Sequence, residues 1–235
     1  MADRITQDEF FDAIARGDLE MVKTQLPGSA NWGMEVSAGM KLMGGGLRMP
    51  LHQAALFGQV EVARLLVEAG AKLNLKDKSL NTPLQQAAEC RKTDFALFMI
   101  ESGADVDATS SVGDTALMMA ASTGNYKLAE ALIAAGANIN ARAESGYSAL
   151  HCAAGGNDRK MMGLLIRHGI DTTIRNDAGE VAGQGDANLT AFIAGAAERR
   201  AEEQAFIQNQ IDMVRRGSDT PVAVRKPINF RKAAP

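Results

Sequence analysis

Apolar residues recur along this chain in two alternating textures. One is a stripe of large side chains at helical spacing: Val62, Leu65 and Leu66; Phe95, Phe98 and Met99; Leu128, Ala131 and Leu132; Met161, Leu164 and Leu165. Positions i, i+3 and i+4 share one face of a helix, so each stripe predicts a helix with a buried face. The other texture is a pair of alanines at 54–55, 87–88, 120–121 and 153–154, which gives a preceding helix a face narrow enough for close approach. Both textures step by 33 residues.

Polar punctuation keeps the same step. Residues 49–52 read Met-Pro-Leu-His, 82–85 Thr-Pro-Leu-Gln, 115–118 Thr-Ala-Leu-Met and 148–151 Ser-Ala-Leu-His. Thr82, Thr115 and Ser148 can accept a hydrogen bond from an orphan amide of the first turn, and Pro50 and Pro83 stand at the first helical position, where no N–H is needed. Gly58 and Gly124 end this first helix; Gly70, Gly103, Gly136 and Gly169 end the second. Extended stretches such as Asp105-Val106-Asp107 then lead through a turn to the next cap. Arg91 replaces the glycine of the second repeat. A positive φ there would be strained, which is mild support for a contact near Glu89 to Arg91.

The segments TPLQQAAECRKTDFALFMIESGADVDA and SALHCAAGGNDRKMMGLLIRHGIDTT resemble the ankyrin repeat nearly position for position. Four well-matched repeats span about 46–177. The resemblance implies an all-α solenoid of stacked helix-turn-helix units with β-turn fingers. The expected organisation is an ankyrin-repeat domain over 1–216 and a tail over 217–235. The domain divides into an N-terminal capping repeat (1–29), a long finger (30–45), repeats over 46–78, 79–111, 112–144 and 145–177, and a C-terminal cap and helix (178–216).

Three segments depart from the repeat. The stretch from Gly28 to Gly46 holds eight residues more than its counterparts and carries Trp32, the only tryptophan, with Met34, Met40, Leu42 and Met43. It reads equally as a loop folded over the first repeat or as a partner-contacting finger. A helical pattern from about Asn188 to Arg216 includes a stripe of Ile207, Ile211 and Val214 and an Arg199–Glu203 pair at i, i+4; the stripe either bends back onto the body, the favoured reading because single helices are marginal, or offers itself to a partner. The tail carries Arg225, Lys226, Arg231 and Lys232 against Asp219, a charge of +3 on a chain whose net charge is −3. Its prolines suit an extended segment, either merely solvated or a linear motif around Ile228 and Phe230.

Composition narrows the function further. With a net charge of −3 and 5% aromatics, the molecule has no electrostatic reason to seek nucleic acid. The first residues form no unbroken apolar run, so neither signal peptide nor membrane span is expected. The expected address is cytoplasmic, with delivery by a specialised secretion system left open. Cys90 and Cys152 lie nearly two repeats apart, beyond disulfide reach, and with three histidines they make no standard zinc spacing. His52 and His151 hold the cap position that, by resemblance, ties neighbouring turns. No catalytic constellation, metal site or cofactor motif is found.

The resemblance places partner contacts on the positions before each cap and at the end of each first helix. Here these are Arg48, Leu56 and Phe57; Lys76, Lys78, Asn81, Glu89 and Cys90; Asp114, Ser122 and Thr123; and Arg142, Glu144 and Tyr147, with Trp32 on the long finger. Leu56, Phe57 and Tyr147 are the expected anchors. The sequence therefore reads as a non-catalytic protein-binding module, expected to be a monomer. The alternative is an effector or inhibitor-type protein that masks a target and carries its address in the tail.

Overall fold

The computed structural model describes residues 7–26, 40–41 and 47–215. The described residues form eleven helices: α1 (Gln7–Arg16), α2 (Leu19–Gln25), α3 (Pro50–Phe57), α4 (Val60–Glu68), α5 (Pro83–Glu89), α6 (Thr93–Glu101), α7 (Ala116–Ser122), α8 (Tyr126–Ala134), α9 (Ala149–Gly155), α10 (Arg159–His168) and α11 (Ala187–Arg215). A two-residue antiparallel ladder, β1 (Met40–Lys41) with β2 (Leu47–Arg48), is the only sheet among them. Trp32, the long finger apart from Met40–Lys41 and the tail from 217 lie outside the described residues.

Each repeat starts where the cap chemistry requires. Thr82 Oγ1 accepts from Gln85 N at 3.3 Å while Gln85 Oε1 accepts from Thr82 N at 2.8 Å, a reciprocal capping box. Thr115 caps the amide of Met118 at 3.4 Å. The first helices α1, α3, α5, α7 and α9 form one layer and the second helices α2, α4, α6, α8 and α10 another. Between them lies one continuous core, in which the alanine pairs are buried together with Leu66, Phe95, Met99, Leu128, Leu132 and Leu165. Phe10 and Phe11 close the N-terminal end, fully buried.

Hydrogen bonds between repeats follow the same period. His52 Nε2 lies 2.8 Å from the Asn81 carbonyl, Gln85 Nε2 donates to the Asp114 carbonyl at 2.7 Å, and His151 Nε2 lies 3.1 Å from the Glu180 carbonyl. At the matching place in the third repeat stands Met118, which has no such donor. Fingertips bond in series, with Ser111 N to Ser79 O at 3.0 Å, Glu144 N to Val112 O at 3.0 Å and Asp177 N to Ser145 O at 3.1 Å.

Arg91 does adopt a positive φ, +56°, so the turn is kept at the cost of strain. Leu80 does the same at +57°, where the corresponding tips carry Gly113, Gly146 and Gly179. At the other end, α11 runs along α10: Leu189 and Ile193 are buried, and Arg200 Nε donates to the Arg167 carbonyl at 3.2 Å. The later stripe does not bend back. Phe206 is 45%, Ile207 50% and Ile211 41% exposed, because α10 ends at His168 while α11 continues past it. Among the described residues no ion pair joins Arg199 and Glu203. No helix among them is long and apolar enough to cross a membrane.

Two predictions follow from these joints. Burial holds the His52 imidazole below its ordinary pKa of 6.5, outweighing the Asn81 carbonyl and Asp77, and its Nδ1 has no partner among the described residues. The unfolded chain therefore binds a proton near pH 6.5 that the folded ring refuses, and stability falls as pH drops through that value until the depressed folded pKa is reached. His52→Gln keeps a side-chain donor, as Gln85 does, and should flatten this part of the denaturation-against-pH curve. At the fingertips, Leu80→Gly should gain about 0.5–1 kcal/mol, the difference between left-handed strain and the entropy of glycine. Gly113→Ala should lose at least about 2 kcal/mol, since its Cβ would sit 2.7 Å from the Glu144 amide nitrogen; chemical denaturation reads both.

Candidate partner-binding surface

The fingers and the first helices border a groove of about 430 Å³ across the second, third and fourth repeats. Its rim comes from loop residues Ser79, Asn81, Ser110, Ser111, Val112 and Asp114 and from Glu89, Ser122 and Thr123 at the ends of α5 and α7. Its floor is Met118, Met119 and Cys152. Asp114 N is held by Ser110 Oγ at 3.2 Å, and Thr123 Oγ1 donates to the Met119 carbonyl at 2.8 Å, so hydroxyls fix both walls.

Five of the residues expected from sequence meet here: Asn81, Glu89, Asp114, Ser122 and Thr123. The others lie elsewhere. Leu56 (42% exposed) and Phe57 (46%) end α3 toward the N-terminal side, and Tyr147 (43%) stands toward the C-terminal side. The Tyr147 ring rests edge-on against His151, centroids 5.3 Å apart, beside a second depression of about 320 Å³. Lys76 Nζ donates to the Thr109 carbonyl at 2.7 Å, and Arg142 donates to the Arg175 carbonyl at 3.0 Å, so both cations bridge adjacent fingers. Cys90 Sγ accepts weakly from Gln86 Nε2 at 3.4 Å and is half-buried. Lys78 and Glu144 are exposed, and the Arg48 backbone pairs with Met40.

The sequence reading missed the floor. Met119 and Cys152 share a place in the repeat with Gln53 and Gln86, so this position varies as much as the rim does. That variation was the available signal. Cys152 is half-buried and faces the groove.

The electrostatics of the groove follow from partial burial. Asp114 has its carboxyl pKa raised by desolvation. Burial pushes the Cys152 thiol up to about 11, with the Asp114 charge adding to the effect. His151 is fully committed: Nδ1 accepts from Ser148 N at 3.2 Å and lies 2.9 Å from Ser148 Oγ, while Nε2 faces the Glu180 carbonyl. Among the described residues no group of His, Cys, Asp or Glu is arranged to hold a metal ion.

Alkylation should expose the state of this thiol. In a Cys90→Ser background, the rate at Cys152 should climb about tenfold per pH unit from pH 8 to 10, because the thiolate is the reacting species. Asp114→Asn should move the profile to lower pH. A plateau by pH 9 would contradict the assigned environment.

Comparison with protein families matches the family described as ankyrin repeats (3 copies) over residues 10–110 and 106–176. Comparison with curated proteins gives no match. Ankyrin repeats are generally protein-interaction modules and typically non-catalytic. The matched stretch covers well over half of the chain and coincides with the capped, stacked helix pairs described above. The chain belongs to the ankyrin-repeat family.

Proposed function

We propose that this protein is a non-catalytic recognition module that seats a segment of a protein partner in the groove across repeats two to four, with Leu56, Phe57 and Tyr147 as flanking anchors. The observation that carries this reading is convergence. Five non-repeating surface residues from two adjacent repeats surround an apolar floor of two methionines and the cysteine of a third. Methionine adapts its shape to different apolar side chains, and half-exposed aromatics are the residues that most often dominate contacts.

The rim also says what would fit. Glu89 and Asp114 supply carboxylates, and Ser79, Ser110, Ser111 and Ser122 supply hydroxyls, so a complementary segment presents N–H donors or a cation above an apolar side chain. Catalysis finds no support in the same residues. The Cys152 thiol is held protonated near neutral pH, and both nitrogens of His151 are engaged in holding adjacent turns.

Bait experiments with the full chain test the reading. Thr123→Arg, which fills the groove, and the Leu56→Ala, Phe57→Ala, Tyr147→Ala triple variant should each weaken the captured partner's affinity at least about tenfold, at unchanged helicity by circular dichroism. A partner retained by both variants but lost on deleting 217–235 or 28–46 would move the function off this face.

A further inference from the structure

We propose that the groove has an internal occupant: residues 228–232 of the C-terminal tail, Ile-Asn-Phe-Arg-Lys, seat in it and compete with the partner. This rests on the groove being the partner-binding site. The lining is one-sided in charge. Glu89 and Asp114 stand on the rim, and no lysine, arginine or histidine lines the groove. Neither carboxylate has a hydrogen bond or ion pair among the described residues. Asp114 is half-buried, and desolvation raises its carboxyl pKa. A carboxylate taken partly out of water with nothing opposite it is stabilised by a cation that reaches it. Below the rim, Met118, Met119 and Cys152 make an apolar floor that accepts a large side chain without a polar demand.

The tail supplies the complement. It carries +3, which leaves −6 on the residues before it. Arg231 and Lys232 follow Phe230 directly, and Ile228 stands two places before it. In an extended segment Ile228, Phe230 and Lys232 share one face, so the apolar pair turns to the floor while the long Lys232 stem carries its ammonium to a rim carboxylate. The exposed end of α11 is a poorer seat for this segment, because its apolar stripe is flanked by Arg215 as well as by Glu202 and Glu203.

The tether is long enough. α11 runs about 22 Å past Arg200, its last bond to the body among the described residues, at about 1.5 Å of rise per residue. Phe230 stands fifteen residues beyond Arg215, a reach of up to about 50 Å at about 3.3 Å each, which covers that return and two helix layers of about 10 Å. A tether also makes a weak contact effective. At an effective concentration of about 1 mM, a segment with a Kd of about 0.1 mM fills its site about nine-tenths of the time, and a competing partner loses about tenfold in apparent affinity.

Fluorescence anisotropy with a labelled peptide of residues 217–235 tests the occupancy, on the wild-type chain and on a full-length variant carrying Phe230→Ala, Arg231→Glu and Lys232→Glu. The variant should bind the peptide about tenfold more tightly than the wild type, whose groove is already filled, and the captured partner's affinity should rise by the same factor. Adding Thr123→Arg to the variant should abolish peptide binding. Equal affinity for wild type and variant, or none for either, overturns the proposal. So does peptide binding that Thr123→Arg leaves intact, which would put the tail elsewhere, as on the exposed end of α11. Because the peptide measurement needs no partner, its failure is distinct from failure of the groove. If the peptide results fail while Thr123→Arg still releases the partner, the groove stands without the tail; if the partner ignores Thr123→Arg, the groove falls as the partner's site and the competition falls with it.

Discussion

The close approach of the first helices is the constraint on which the other contacts depend. The alanine pairs at 54–55, 87–88, 120–121 and 153–154 are all buried, and only a methyl group separates each backbone from the next layer. At that separation a side chain from one cap reaches a carbonyl of the following finger, as His52, Gln85 and His151 do. The fingertips then meet amide to carbonyl at 3.0–3.1 Å. A larger residue on the narrow face would lengthen every one of these bonds together. The stack therefore acts as a chain of nearest-neighbour interfaces, each too small to stand alone.

Several places where the repeat breaks its own rules lie along the groove. Leu80 holds left-handed backbone where the later fingertips have glycine, Arg91 does so where two repeats have glycine and the fourth has Asn157, itself at +52°, and Met118 stands where others have a hydrogen-bonding cap residue. Leu80 lies between Ser79 and Asn81 on the groove rim, Arg91 follows α5 just after Glu89, and Met118 is on the floor. Strain at Leu80 and the missing inter-repeat bond at Met118 thus fall at the groove that gathers five of the non-repeating residues. Such local inconsistency is what a site imposed on a stable scaffold looks like.

The repeat was legible because each of its markers has one physical use: a cap oxygen, a glycine at positive φ, an alanine at close approach. The groove was legible by half. Its rim residues vary and are polar, so they stood out, whereas Met119 and Cys152 are apolar side chains on first helices, a type that usually belongs to the core. Lys76 and Arg142 are exposed, and their reach to Thr109 and Arg175 depends on finger spacing that no single repeat encodes. The fate of the C-terminal stripe was illegible for a simpler reason. Periodicity identifies the apolar face of a helix but says nothing of how far the neighbouring helix extends, and α10 stops too early to cover Ile207 and Ile211.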